Sequence, residues 1–300
     1  MLSSLRPLIL AAILLSCLMS HPAFTADEIA ESPQTTGGAK SLAPTEEKPL
    51  WEIALAGYSR YGPAYPASEE YQFDVVPLPF PIYRGEFLRV GDDKDKPVTT
   101  RIFRRDRIKL DLDFGLNLPV DSKDIDIRED MPDLDLLLEA GPELEFQFVE
   151  SLPGDFFLAL QTRVALSFDG LDTTWRGMIY STEFKYTLPF NDEKTKLNIR
   201  LAPEFASNDY MDYFYGVKPE FATANRPAYK ASAGYLGTYL RFTIGHEINK
   251  KFEIRSGIRG GFYQGAKNSD SPLFTTDNTG EVFFAFLWKF WESKRFASTE

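Results

Sequence analysis

The chain has 300 residues, of which 44 are acidic and 33 are basic, so its formal net charge at pH 7 is −11. This acidic balance argues against nucleic acid as a partner, because phosphate backbones attract basic surfaces. Cys17 is the only cysteine, and the sequence after it therefore offers no disulfide, thiol nucleophile or cysteine metal site.

The first fifty residues divide into a secretion signal and a polar leader. A basic start and an apolar run over residues 8–19 are typical of a signal peptide, and the run is shorter than the roughly 20 residues of a membrane-spanning helix. We expect residues 1–26 to be a signal peptide and residues 27–50 to be a disordered periplasmic leader. Cys17 stands where a bacterial lipoprotein signal carries its cysteine, so lipidation and removal with the signal both stay open.

From residue 51 onward, apolar and polar side chains alternate with a period of two, which is typical of β-strands. In chain order, the predicted strands span residues 51–60, 71–81, 87–90, 98–104, 107–117, 143–149, 156–168, 174–188, 195–205, 236–249, 251–263 and 281–291. Their number, about twelve, is even, as expected for a bacterial outer-membrane barrel. Ten strands is the alternative, since residues 87–90 could extend a neighbouring strand.

Segment 107–117 indicates what the two faces of these strands contact. It places five large apolar residues, among them Leu110 and Phe114, on one face and four charged residues, among them Asp111 and Asp113, on the other. Such a wall fits lipid on one side and water on the other better than it fits a sandwich core. We therefore predict an all-β, transmembrane, antiparallel up-and-down barrel in the cell outer membrane. It would span residues 51–291 and be followed by a tail, residues 292–300.

The connections between predicted strands give the barrel an orientation. With the amino end in the periplasm, the short connections lie on the periplasmic side, at residues 83–86, 105–106, 151–155, 191–194 and 249–250. The long connections lie on the outer side, at residues 119–138, 206–230 and 265–279. This asymmetry is typical of outer-membrane barrels. Within the second strand, Pro77, Pro79 and Pro81 each remove a ladder donor, so we expect that strand to be irregular.

Charged side chains on the polar faces are predicted to line the lumen as ion pairs. The predicted lumen charges are Lys109, Asp111, Asp113, Arg163, Glu183, Lys185, Arg200, Arg241, Glu253, Arg255 and Arg259. Asp111 and Asp113 also raise the possibility of a glycosidase carboxylate pair, but the many neighbouring basic residues favour a plain ion-paired lumen. No phosphate-binding loop, nucleophile elbow or zinc-protease helix occurs, so we expect no enzyme activity, cofactor or metal.

Two sequence boxes resemble the MltA-interacting protein family, MipA/OmpV. One is Arg-Glu-Asp-Met-Pro-Asp-Leu-Asp over residues 128–135, and the other is Tyr-Phe-Tyr-Gly-Val over residues 213–217. The resemblance extends over residues 51–290 in order and spacing, and residues 292–300 depart from it by continuing past the last aromatic strand. The signature residues that it singles out are Arg128, Asp130, Met131, Pro132, Asp133, Asp135, Tyr213, Tyr215 and Gly216.

The resemblance implies an outer-membrane protein that acts as a scaffold. Its partners would be a periplasmic lytic transglycosylase and a peptidoglycan synthase, besides the outer-membrane lipid. A porin-like narrow channel, or a protein of osmotic adaptation or adhesion, is the alternative. The signature residues are candidates for partner binding, although the predicted orientation places residues 128–135 on the outer side, away from periplasmic enzymes.

Two further features have both a functional and a structural interpretation. The acidic residues at positions 124–135 could hold calcium, but their spacing does not match an EF-hand loop, so a solvated loop or one paired with Arg128 is favoured. His246, the only histidine of the mature chain, lies on an apolar face near a strand end. An interfacial role is favoured there over that of a catalytic base.

Overall fold

The computed structural model describes residues 48–85, 88–91, 98–100, 103–105, 107–148, 154–190 and 194–297. The predicted signal peptide, nearly all of the predicted leader and the last three residues of the predicted tail lie outside these ranges. The described strands are β1 (Trp51–Pro63), β2 (Tyr71–Arg84), β3 (Leu88–Val90), β4 (Val98–Thr100), β5 (Phe103–Arg105), β6 (Ile108–Asn117), β7 (Leu136–Phe148), β8 (Asp155–Asp169), β9 (Asp172–Pro189), β10 (Thr195–Ala206), β11 (Gly234–Asn249), β12 (Phe252–Phe262) and β13 (Asn278–Glu292). One α-helix, α1 (Asn208–Tyr215), and short 3-10 helices at Ser122–Asp124, Asp126–Arg128 and Pro219–Phe221 lie in the connections.

All of these strands belong to one antiparallel sheet in the order β4-β3-β2-β1-β13-β12-β11-β10-β9-β8-β7-β6-β5. Strands that are consecutive in the chain pair with each other, except that β4 does not pair with β5. Strand β1 also pairs with β13, the last strand. The two ends of the sheet, β4 and β5, are separated in sequence only by residues 101–102, and β4 also lies beside β6. The sheet therefore curls round on itself as an up-and-down barrel, which confirms the predicted fold class.

The outer face of the sheet is apolar and exposed. Large apolar side chains that are at least 40% exposed occur around the sheet, including Phe73 at 69%, Leu201 at 40%, Ile258 at 55% and Phe284 at 45%. Phe114, on the strand that best shows the alternation, is 37% exposed. No second layer covers this face among the described residues. A continuous apolar surface of this kind is what a barrel presents to lipid. The described residues contain no helix with the length and apolar character that a membrane crossing requires.

The two ends of the barrel differ. The turn end carries the short connections, for example residues 250–251 between β11 and β12, together with both described termini. The loop end carries the long connections, residues 64–70, 118–135, 207–233 and 263–277. Residues 170–171 between β8 and β9 are a short connection at the loop end, and apart from them the predicted separation of short and long connections is present. The side of the membrane that each end faces stays a prediction.

Strand β2 is continuous, which corrects the irregular strand that we expected from its prolines. It pairs with β1 without a register shift from Tyr71 to Tyr83, and Pro77, Pro79 and Pro81 fall on alternate positions. Alternate residues direct their backbone N–H groups to the same side of a strand. On the far side from β1, the described pairing of β2 involves only Tyr83 and Arg84. The three prolines therefore lack their N–H groups on the side of β2 where the described residues form no strand pairing.

Two other boundaries differ from the sequence prediction. Strand β7 begins at Leu136 rather than at residue 143, so the predicted connection 119–138 is shorter than expected. The alternation of apolar residues along 236–249 predicts that Leu236 shares the lipid-facing side of this strand with Leu240 and Phe242, but Leu236 is buried in the interior. A register shift places Glu204 opposite Gly237 and Phe205 opposite Tyr235, which leaves Leu236 as the extra residue of a bulge. A bulge redirects its side chain, and here it redirects Leu236 inward.

Candidate functional site

The four long connections of the loop end pack together inside the mouth of the barrel. We call residues 64–70, 118–135, 207–233 and 263–277 the plug. Their buried apolar side chains form one core with the inner wall of the barrel, including Tyr65, Ile125, Met211, Phe214, Tyr215 and Leu273. This core lies within the plug and the part of the barrel next to the loop end, whereas charged side chains line the interior nearer the turn end. The mouth is thus filled by a hydrophobic core of the kind that holds a soluble domain together.

Arg128 holds the plug together from its centre. Its side chain is only 3% exposed, and its guanidinium donates hydrogen bonds to the Oγ of Ser122 at 3.2 Å and to the carbonyl oxygens of Pro132 at 3.1 Å and Phe214 at 3.4 Å. It also lies over the ring of Tyr65, 5.6 Å from the ring centroid. Burial lowers the pKa of Arg128. One cation therefore joins three of the four connections.

Hydroxyl groups join the remaining pairs of connections. The Tyr65 hydroxyl donates to the carbonyl of Leu273 at 2.8 Å, and the Tyr215 hydroxyl donates to the carbonyl of Pro66 at 3.1 Å. The Ser271 hydroxyl donates to the carbonyl of Tyr215 at 2.7 Å. Burial raises the pKa of Tyr65 to about 12 and also raises the pKa of Tyr215. These phenols are therefore neutral donors at neutral pH.

A second buried arginine supports the outer surface of the plug. Arg226 is 5% exposed and donates to the carbonyl oxygens of Ile127 at 2.8 Å, Glu129 at 2.7 Å and Phe221 at 2.8 Å. Sequence reasoning missed Arg226, because a lone arginine in a long connection has no periodic pattern to mark it.

The first signature box is partly buried and partly on the surface of the loop end. Arg128 is buried, and Met131 packs against the plug core. The exposed members are Asp130, Pro132 and Asp133, and the Asp133 carboxylate accepts the backbone N–H of Ser122 at 2.6 Å. Asp130 has a φ of 65°, a left-handed conformation that Asp tolerates better than most residues do. The box therefore shapes a turn around Arg128.

The second box continues the same framework. The hydroxyl of Tyr213 donates to the carbonyl of Asp135 at 3.1 Å, and the Asp135 carboxylate lies 3.5 Å from the Arg176 guanidinium, which also stacks on the Tyr213 ring at 4.5 Å. Gly216 ends α1 and donates its N–H to the carbonyl of Asp212 at 2.9 Å. A Cβ at Gly216 would collide with Asp212. All nine signature residues thus lie in or beside the plug.

Of the two favoured interpretations of the acidic loop, the solvated loop fits the structure, since most of its acidic side chains are exposed and none pairs with Arg128. Arg128 binds backbone carbonyls and a serine, and within the described residues it has no carboxylate within 4 Å. The carbonyl oxygens of the turn take its donors because the box folds tightly around the guanidinium. The described residues contain no group of three or more metal-ligating side chains. His246, at the other end of the barrel, contacts the Thr195 hydroxyl through Nδ1 at 2.8 Å.

Below the plug lies a polar cavity with a volume of about 600 Å³. Of the predicted lumen charges, six line it: Asp113, Arg163, Glu183, Arg200, Arg241 and Arg259. The plug contributes Tyr65, Tyr210 and Phe214 to its upper wall. The remaining predicted lumen charges lie outside this cavity, towards the turn end: Lys109, Asp111, Lys185, Glu253 and Arg255.

One wall of the cavity is an ion network around Arg163. Its guanidinium lies 2.8 Å from Asp113, 3.1 Å from Glu139 and 3.3 Å from Glu204. The Tyr210 hydroxyl of α1 donates to Glu139 at 2.8 Å, which attaches the plug to this network. Glu139 has no counterpart in the sequence prediction, because that prediction begins the strand at residue 143. Asp113 thus belongs to an ion pair rather than to a glycosidase pair with Asp111.

A second network lies nearer the turn end and is centred on Lys185. Its ammonium is 2.9 Å from Glu143, 3.3 Å from Glu183 and 3.5 Å from Glu145, and Lys109 lies 3.1 Å from Glu145. Glu143 is fully buried. Buried charges of this kind persist only with close partners, and here each has one. Arg255, on β12, pairs with Glu253 at 2.8 Å.

The opposite wall is rich in arginine. Arg200, Arg241 and Arg259 are direct cross-strand neighbours on β10, β11 and β12. Arg200 lies 3.8 Å from Glu183. Arg241 stacks on the Phe283 ring at 5.7 Å, and Arg259 stacks on the Tyr239 ring at 3.8 Å. Glu204 on β10 and Glu281 on β13 also line the cavity beside this row, so the wall is rich in arginine but not free of carboxylates.

Comparison with known proteins gives one family match. A family model described as MltA-interacting protein MipA matches residues 55–290. No curated protein is similar enough to match the chain. Among solved structures, the chain is similar to an outer membrane channel from Pseudomonas putida F1, with 11% identity and a TM-score of 0.45 over 83% of this chain and 100% of the other. It is also similar to the Pseudomonas putida toluene transporter TodX, with 9% identity and a TM-score of 0.26 over 83% and 69%. These TM-scores are too low to carry an argument.

Proposed function

The chain belongs to the MltA-interacting protein family, and from this premise we propose that this outer-membrane β-barrel is a non-enzymatic scaffold of cell-wall assembly. It would bind a periplasmic lytic transglycosylase and a peptidoglycan synthase, the partners that the resemblance implies, and the family description names an interaction with MltA. The bridging of these two enzymes is the finer part of the proposal. Membership in the family and the plug at the loop end support it.

The plug is the observation on which the scaffold proposal rests. A transport pore needs a continuous polar path, and here Tyr215, Tyr263 and Leu273, each at most 1% exposed, fill the mouth with apolar groups. Buried arginines and hydroxyls hold the four connections to one another. A barrel whose mouth is packed in this way is better suited to holding a partner than to passing solutes.

The turn end is the proposed partner surface. There the segments beyond β1 and β13 run side by side: Pro49 bridges Phe296, the N–H of Leu50 donates to the carbonyl of Arg295 at 2.7 Å, and the N–H of Ala297 donates to the carbonyl of Lys48 at 2.9 Å. Residues 48–50 and 295–297 therefore lie side by side where the chain leaves the barrel. Phe296 is 54% exposed at this point, which suits an apolar anchor for a partner.

Capture of purified partners tests the proposal. The detergent-solubilised full chain is mixed with a periplasmic lytic transglycosylase and a peptidoglycan synthase, singly and together. We expect each enzyme to be retained, and the Phe296→Glu variant to retain less of them. Asp133→Ala, at the opposite end of the barrel, is the matched control and should retain as much as the wild type. Failure of the wild type to retain either enzyme would contradict the proposal.

A channel is the second candidate, because the interior holds a cavity of about 600 Å³ lined by charged side chains. In this alternative the plug would open to admit solutes, and the charges of the lumen would select them. Conductance separates the two candidates, since a barrel that stays plugged gives no discrete channel steps.

A further inference from the structure

The arginine wall of the cavity contains two guanidinium groups that lack a carboxylate partner. Arg241 on β11 and Arg259 on β12 stand directly opposite each other, and Arg200 is opposite Arg241 on the other side. Side chains directly opposite on neighbouring strands have Cβ atoms only about 5 Å apart, and like charges there repel. A row of three arginines is therefore an unfavourable arrangement for the fold alone.

Within the part of the chain that the structure describes, the guanidinium groups of Arg241 and Arg259 have no hydrogen bond and no carboxylate within 4 Å. Arg241 stacks on the ring of Phe283, and Arg259 stacks on the ring of Tyr239. The neighbouring acids are committed elsewhere. Glu281 on β13 is directly opposite Arg259 and forms an ion pair with Arg60 at 3.2 Å. Glu204 on β10 forms an ion pair with Arg163 at 3.3 Å.

Another polar group in the lining of the cavity is also without a partner. The hydroxyl of Ser181, a residue that is 6% exposed, lines the cavity and has no hydrogen bond to any described residue. A buried hydroxyl without a partner costs free energy, and functional sites keep such groups where a ligand supplies the missing contact. Arg241 and Arg259 are only partly buried, so their guanidinium groups are accessible to a solute in the cavity. The cavity thus presents guanidinium and hydroxyl donors in its lining.

We propose that Arg241 and Arg259 form a binding site, inside the barrel, for a small solute that carries an oxyanion, either a carboxylate or a phosphate. Each planar guanidinium can donate two parallel hydrogen bonds to such a group. Asp113 and Glu183, which also line the cavity, repel additional negative charge, so a solute with one anionic group fits better than a polyanion. The site does not depend on the scaffold role, because it lies in the interior and not on the turn end.

Isothermal titration of the full chain in detergent with inorganic phosphate, and separately with acetate, tests the proposal. We expect saturable binding of at least one of the two probes, and the preferred probe identifies the oxyanion. The double variant Arg241→Gln/Arg259→Gln should bind about tenfold more weakly or worse, as expected when charge-assisted hydrogen bonds are lost. Arg255→Gln is the matched control, because Arg255 lies on the same face of β12, pairs with Glu253 and lies outside the cavity.

A second measurement separates a binding role from a structural one. In a buffer free of oxyanions, the double variant should resist urea as well as the wild type or better, because it removes repulsion between facing arginines. Added phosphate or acetate should then stabilise only the wild type and the Arg255→Gln control. The proposal is overturned if neither probe binds the wild type, if the double variant binds equally well, or if the double variant fails to fold or unfolds at lower urea.

Discussion

Arg128 lies over the ring of Tyr65, with its guanidinium carbon 5.6 Å from the ring centroid. The two residues come from different connections of the loop end. Arg128 also donates to the carbonyl of Phe214 in a third connection, and Tyr65 donates to the carbonyl of Leu273 in the fourth. This contact makes the plug a cooperative unit, since displacing either residue breaks contacts in several connections at once.

Arg128→Ala should loosen the plug without preventing barrel formation. The change leaves buried carbonyl oxygens at Pro132 and Phe214 without a donor, and we expect a loss of about 2–4 kcal/mol in the stability of the loop end. Limited proteolysis of the folded protein should then cleave within the plug, whereas the wild type resists. Lys123→Ala, which removes an exposed pair with Asp121 in the same connection, should leave the cleavage pattern unchanged.

Alkaline pH should release the plug between about pH 10 and pH 12. Burial raises the pKa of Tyr65 to about 12 from the ordinary value of 10, and it also raises the pKa of Tyr215. A raised pKa means that this contribution to stability is full below pH 10 and is lost as the pH rises through 12. Ultraviolet titration of tyrosinate, followed together with proteolysis, measures the release. Cleavage that is unchanged up to pH 12 would contradict this expectation.

Gly141→Ala should impair pairing of β7 with β8. A Cβ at Gly141 would collide with the backbone carbonyl of Thr162, and backbone atoms cannot move aside as a flexible side chain can. We expect a loss of about 1–3 kcal/mol, typical of overpacking. Migration of the unboiled sample on a detergent gel, which depends on the folded barrel, measures the folded fraction. Gly280→Ala is the control, because nothing lies within 4 Å of its Cβ position.

Arg163→Met should destabilise the barrel more than any of these changes. It would leave Asp113, Glu139 and Glu204 as neighbouring buried carboxylates without their shared cation. Breaking a buried ion network by removing one partner costs about 3–5 kcal/mol. The urea midpoint of the detergent-solubilised protein measures the loss. A midpoint shift no larger than that of Arg255→Gln would show that the network contributes little.

Strand alternation allowed the barrel to be predicted, because a period of two over residues 107–117 has few other interpretations. It could not reveal the bulge that turns Leu236 inward, since a bulge depends on pairing with β10 and leaves the local sequence unchanged. The alternation also assigned the first residues of β7 to a connection, and so Glu139 was not predicted to line the lumen. There Leu136 and Leu137 are both buried beneath the plug, and the alternation is lost.

The signature boxes were predictable as motifs but their structural role was not. Arg128 and Tyr215 contact residues from distant connections, and nothing in a single sequence indicates which connections meet. Arg241 and Arg259 were predicted to line the lumen by their place in the alternation. Their direct opposition and their lack of carboxylate partners required the register of β11 against β12.

Conductance of the full chain in planar lipid bilayers tests the central claim, a barrel closed by its plug, most directly. We expect no discrete channel steps from the wild type, and steps from the Arg128→Ala variant, whose plug is loosened. Discrete and stable steps from the wild type would contradict a closed barrel and favour the channel.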